Sequence, residues 1–153
     1  MRTAHPILAV LSLVGAGAAA MASATDPFDH GVWLVAYLFL VGFLAQLLLG
    51  RGQAALLVGA RALDQGVVLR VLLWNAGVIL VPLGVLIEAR LFVVIGGAAL
   101  LVALAMFWRS AWPIPPSPDG RADRLRLSQL ALIVFMAASV FVGTALAWDT
   151  PWL

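Results

Sequence analysis

The chain has 153 residues, 64% of them hydrophobic and 10% charged, and its mean hydropathy is +1.09. A soluble domain carries roughly a quarter of its residues as Asp, Glu, Lys and Arg, so this composition excludes a cytosolic enzyme, a nucleic-acid binder and a disordered tail. The net charge of +2 rests on nine basic residues, all Arg, a bias that suggests a GC-rich bacterial genome.

Splitting the chain at its charges leaves five uncharged stretches: Thr3 to Thr25, His30 to Gly50, Val71 to Ile87, Leu91 to Trp108 and Leu127 to Trp148. A helix rises about 1.5 Å per residue and the hydrocarbon core is about 30 Å thick, so roughly 17 to 25 apolar residues cross it. These runs are too long and too continuous for barrel strands, which alternate over about ten residues. The sequence therefore predicts an all-α membrane bundle of five helices over approximately 6–24, 31–50, 69–88, 91–108 and 127–148, one transmembrane domain for the whole chain.

The first stretch has two readings. Arg2, the apolar run Ile7 to Ala20 and Ala22-Ser23-Ala24 before Thr25 have the layout of a cleaved signal peptide, which would leave four spans. Gly15, Gly17 and the alanines around them suit contact between helices, and a retained helix is the preferred reading. His5 precedes this span and His30 opens the next, so about 30 Å of membrane separates them. They cannot ligate one haem iron within a protomer; a haem site would need one His with a weak second ligand, or histidines from two copies.

Around the start of span two, Asp26, Asp29 and His30 lie within five residues and are a possible Zn or Cu set. The plainer reading is a helix cap, with Asp29 accepting amide hydrogen bonds at the positive end of the helix. Gln46 lies five residues before Arg51, and Asn75 five after Arg70. Both should sit about 7 to 8 Å inside the level of those arginines, where a side-chain amide has lost water and needs a partner. Ser12, Arg70, Ser128 and Gln129 fall on the same half of the bundle. Together they predict a polar intramembrane cluster that is either interhelical glue or a small hydrophilic pocket, with glue preferred. Arg70 is expected to snorkel to the interface.

The Arg51 to Arg70 connection could form an interfacial helix, although its glycines weaken that reading. Pro82 with Gly84 should bend the third helix. The connection through Glu88 and Arg90 is so short that spans three and four must form an antiparallel hairpin. Between spans four and five, Trp112-Pro113-Ile114-Pro115-Pro116-Ser117-Pro118 reads as a stiff extended spacer that turns at Asp119-Gly120.

Arg2, Arg51, Arg61, Arg70, Arg109, Arg121, Arg124 and Arg126 fall on one side and only Arg90 on the other, which predicts a cytoplasmic N-terminus and an outside C-terminus in a bacterial inner membrane. Trp33, Trp148 and Trp152 would anchor the outer interface, and Trp108 and Trp112 the inner one.

The sequence has no P-loop, GxSxG, HExxH or dinucleotide fingerprint, and no carboxylate or His in mid-span of the kind a proton relay uses. With no Cys, thiolate chemistry is absent as well. The expectation is a non-enzymatic accessory or structural subunit, or a homo-oligomer, with no cofactor and with other membrane subunits or its own copies as partners. The alternative is a small-molecule or haem-binding bundle serving electron transfer or transport.

Overall fold

The structure, a computed structural model, describes residues 4–26, 30–56, 65–111 and 120–149. They form α1 (Ala4–Thr25), α2 (Gly31–Tyr37), a π-helical segment (Leu38–Ala45), α3 (Gln46–Leu56), α4 (Gln65–Leu86), α5 (Arg90–Ala111) and α6 (Arg121–Asp149). No strand occurs among the described residues. The α2, π and α3 pieces join end to end, so five helices are long and apolar enough to cross a bilayer, over Ile7–Thr25, Gly31–Gly52, Gly66–Leu86, Arg90–Ser110 and Asp123–Phe141. The all-α, five-span architecture read from the sequence is the one found.

Two boundaries differ from the charge-based reading. The third span begins at Gly66, ahead of the expected start at residue 69, and the guanidinium of Arg70 within it is met by protein acceptors. The fifth helix starts at Arg121 and has 29 residues, about 44 Å at the standard rise. It therefore exceeds the hydrocarbon thickness, and the apolar window within it, Asp123–Phe141, takes in Arg124 and Arg126 at the Arg-rich end. Most of the Pro-rich spacer, residues 112–119, lies outside the described residues, as do Arg61 and Asp64.

The closest packing is between α4 and α5. On α5 the buried positions Val93, Gly96, Leu100, Ala103, Leu104 and Phe107 recur at three- and four-residue steps and make one stripe along the helix. Gly77 and Gly96 bring the two backbones together: a methyl on Gly77 would lie 2.7 Å from Gly96 O, and one on Gly96 would lie 2.9 Å from Val81 N. Because lipid tails are as apolar as the helices, no hydrophobic drive pairs them, and close small-residue contacts of this kind hold membrane helices together. α4 stays helical through Pro82.

The α4–α5 turn is a Schellman cap. Ala89 N–H donates to Gly84 O at 2.8 Å and Glu88 N–H to Val85 O at 3.3 Å, which is the paired closure that motif uses. Its left-handed position is occupied by Glu88, with φ of 54°, where Gly or Asn is usual. The two helices consequently return antiparallel within four residues, as the short connection requires.

α5 is central and packs on α4, α6 and α3, whereas α1 makes its extensive contacts only with the second span. α1 turns Ala9 and Ala16, both buried, and half-buried Ser12 toward that span. A methyl on Gly42 would lie 2.7 Å from Ser12 Cβ, so the π segment and α1 touch nearly backbone to backbone. Large side chains such as Val14, Met21, Leu91, Phe135 and Phe141 point outward and are exposed, the arrangement a lipid solvent favours.

Candidate functional site

Three polar side chains are drawn into the Arg-rich half of the bundle by the faces they occupy. Gln46 follows the π segment and continues the buried face of Ala45 and Leu49. Arg70 lies one turn before Trp74 on the face of α4 that meets α5, and Gln129 lies one turn before Ile133 on the inner face of α6. Gln46, Arg70 and Gln129 are 1%, 5% and 4% exposed.

Arg70 is held inside the protein. Its Nε donates to Gly66 O at 3.1 Å on its own helix, and Nη1 donates to Ser110 Oγ on α5 at 2.7 Å. Ser110 Oγ in turn donates to Phe107 O at 2.8 Å. The guanidinium carbon stands 5.5 Å from the centroid of the Phe107 ring, and that ring meets Trp74 edge-on, with centroids 6.3 Å apart at 83°. Such a cation–π contact gains strength when desolvated. Within the protein the charge is met by a carbonyl, a hydroxyl and an aromatic face.

Gln46 and Asn75 do not bond to one another. Asn75 is half-buried and its Nδ2 donates to Val71 O, one turn back on α4, at 2.7 Å. Ser12 likewise returns to Leu8 O at 3.1 Å, and Ser128 to Leu125 O at 2.8 Å. Short polar side chains in helices often take this local option. Gln129 does cross between helices, with Nε2 3.5 Å from Leu49 O, a long contact. Gly52 makes room for it, since a side chain there would overlap the Gln129 amide.

Gln46 Nε2 and Oε1 and Trp74 Nε1 are buried and have no hydrogen-bond partner in the structure. Trp74 belongs to the same buried apolar cluster as Ala45 and Leu49, which flank Gln46 in sequence. An unmet buried donor or acceptor costs about 1–3 kcal/mol, so these three atoms are the least satisfied polar groups among the described residues. Tyr37 ties the second span to α4 higher up, its hydroxyl donating to Gly77 O at 3.4 Å.

A second feature opens beside Gln129. Leu48, Leu125 and Leu132, with Arg51, Gly52, Ser128 and Gln129, line a cleft of about 510 Å³ between α3 and α6. Arg51 and Ser128 are exposed.

The remaining predicted residues are spread out. His5 lies in the first turns of α1 and His30 beyond its far end, so a 22-residue helix, about 33 Å long, separates them. His30 is itself the N-cap of α2, and its backbone carbonyl, not its side chain, accepts the Leu34 N–H at 2.8 Å. Asp29, the residue expected to cap, lies outside the described residues, while Asp26 is exposed just after α1. No group of three or more His, Asp or Glu side chains close enough to hold a metal occurs among the described residues. Trp33 stacks on Tyr37 at 5.2 Å, and Trp108 is exposed at the Arg-rich end of α5. Trp148 falls within α6, but its side chain lies outside the described residues, as do Trp112 and Trp152 entirely.

The sequence reading missed Phe107, Ser110 and the leucine-walled cleft. Ser110 was signalled weakly, as a hydroxyl beside Arg109 at a span end; the cleft was signalled only by Gly52 and Gln129, which neighbour no common motif. Comparison with protein-family models, with curated proteins and with solved structures gives no match for this chain.

Proposed function

We propose that the chain is a non-enzymatic membrane subunit that works by helix association, with a second copy of itself or with another membrane protein, in a bacterial inner membrane with its N-terminus cytoplasmic. The observation that carries this is the outward face of α1. Gly17 has no atom within 4 Å of where a side chain would stand, and Ala18, Ala20 and Ala24 beside it are exposed. A Gly at an open helix position costs about 1 kcal/mol relative to Ala, and small residues facing lipid offer close approach to a further helix. On this reading α1 is retained, since its Ser12 face covers Gly42 of the second span.

The test is a bulky substitution on that face. Gly17→Leu in the full chain is expected to abolish self-association or partner capture in native-membrane crosslinking, while leaving the helicity and unfolding midpoint of the bundle in place. Unchanged crosslinking would contradict the proposal, and an intact mass beginning at Thr25 would remove the helix on which it rests.

A second reading, a bundle that binds a small molecule, is favoured by the unmet amide of Gln46 and indole N–H of Trp74. It predicts that a purified sample carries a small polar molecule, or a Soret band lost in His30→Ala if the group is haem. Gln46→Leu would abolish the first without unfolding the protein. A colourless, ligand-free sample that retains partners favours the association reading.

A further inference from the structure

We infer that the cleft between α3 and α6 binds an anionic phospholipid, with acyl chain along Leu48, Leu125 and Leu132 and phosphate against Arg51 and Ser128. The inference is independent of the association proposal and rests on four features of the cleft.

Its volume of about 510 Å³ lies within the roughly 300–1,000 Å³ of ordinary ligand sites. Its lining joins three leucines with Arg51, Ser128 and Gln129, the apolar and polar partners that the tail and head of a lipid need. Its depth suits both: Gly52 closes the apolar window of the second span, and the cleft residues of α6 lie just inside the start of the fifth, where tails give way to headgroups. Its charge selects an anion. Arg51 is exposed, and exposed Arg124 lies one helical turn before Ser128, on the same side of α6.

Gln129 also lines the cleft. Its amide reaches Leu49 O across the gap that Gly52 leaves, which links α3 and α6 beside the cleft. Arginine close to an anionic lipid layer contributes roughly 1 kcal/mol, and a phosphate oxygen accepts charge-assisted hydrogen bonds from it. A choline headgroup would set its own cation beside the two arginines and lose that discrimination.

The experiment is native mass spectrometry of the full chain in detergent micelles, titrated separately with dioleoyl phosphatidylglycerol and dioleoyl phosphatidylcholine. The expected result is one tightly held phosphatidylglycerol, and phosphatidylcholine held several-fold more weakly. Arg51→Gln should weaken phosphatidylglycerol about fivefold and phosphatidylcholine by less, while Arg90→Gln at the opposite end changes neither. Leu132→Trp should remove both lipids. Should that variant fail to fold, Ser128→Trp blocks the same cleft from an exposed position. Equal retention of the two lipids, undiminished phosphatidylglycerol in Arg51→Gln, or displacement of the lipid by inorganic phosphate alone would each overturn the inference, the last by assigning the site to a soluble anion.

Discussion

Arg70, Gln46 and Glu88 each break a local rule, and they differ in how the break is compensated. Arg70 is buried but has a carbonyl, a hydroxyl and an aromatic ring around its guanidinium. Hydrogen bonds to charged groups contribute roughly 1.5–3 kcal/mol, so Ser110→Ala should destabilise the bundle by about 1–2 kcal/mol in denaturant unfolding. No loss would show that the Arg70–Ser110 bond contributes nothing in the membrane-mimetic state. Gln46 has no such compensation, and replacing an unpaired buried amide by an apolar side chain of similar shape is neutral or stabilising. Gln46→Leu should therefore unfold no earlier than the wild type. Substantial destabilisation would mean that the amide has a partner, whether a bound molecule or another chain. Glu88 sits at φ 54° in the α4–α5 cap, a conformation that costs a non-glycine residue roughly 1–2 kcal/mol. Glu88→Gly should raise stability by about 0.5–1 kcal/mol after the entropy of the unfolded Gly is allowed for; a drop would mean that the carboxylate makes a contact of its own.

At the scale of the helices, backbone proximity decides what can change. The α4–α5 pair is closed through Gly77 and Gly96, so Gly77→Val must separate the helices. Overpacking of this kind costs typically 1–3 kcal/mol, and the variant is expected to lose a corresponding part of its unfolding free energy. The same scale explains what the sequence could disclose. Five spans and the tight hairpin were legible because length, charge and a connection of a few residues constrain them without reference to partners. The separation of Gln46 from Asn75 was not, because equal depth does not fix azimuth and Asn75 had a carbonyl available on its own helix at Val71. Nor was the burial of Arg70, whose acceptor Ser110 and ring Phe107 come from α5, a helix whose rotation only packing sets. The π segment Leu38–Ala45 left no periodic signal in a run that is apolar throughout.

For the whole molecule, the distribution of side chains is the main constraint on function. The buried polar side chains among the described residues, Gln46, Arg70 and Gln129, lie in the Arg-rich half, while α1 makes its extensive contacts with the second span and turns Gly17 and its alanines outward. That combination underlies the proposal of association over a self-contained activity. The most direct measurement is the stoichiometry of the full chain, released from its native membrane in detergent-free lipid particles and weighed by native mass spectrometry. The account predicts particles holding more than one copy of the 16.1 kDa chain, or one copy with a second membrane protein, and their loss in Gly17→Leu. Single chains carrying only lipid, at every expression level and in wild type and variant alike, would contradict it.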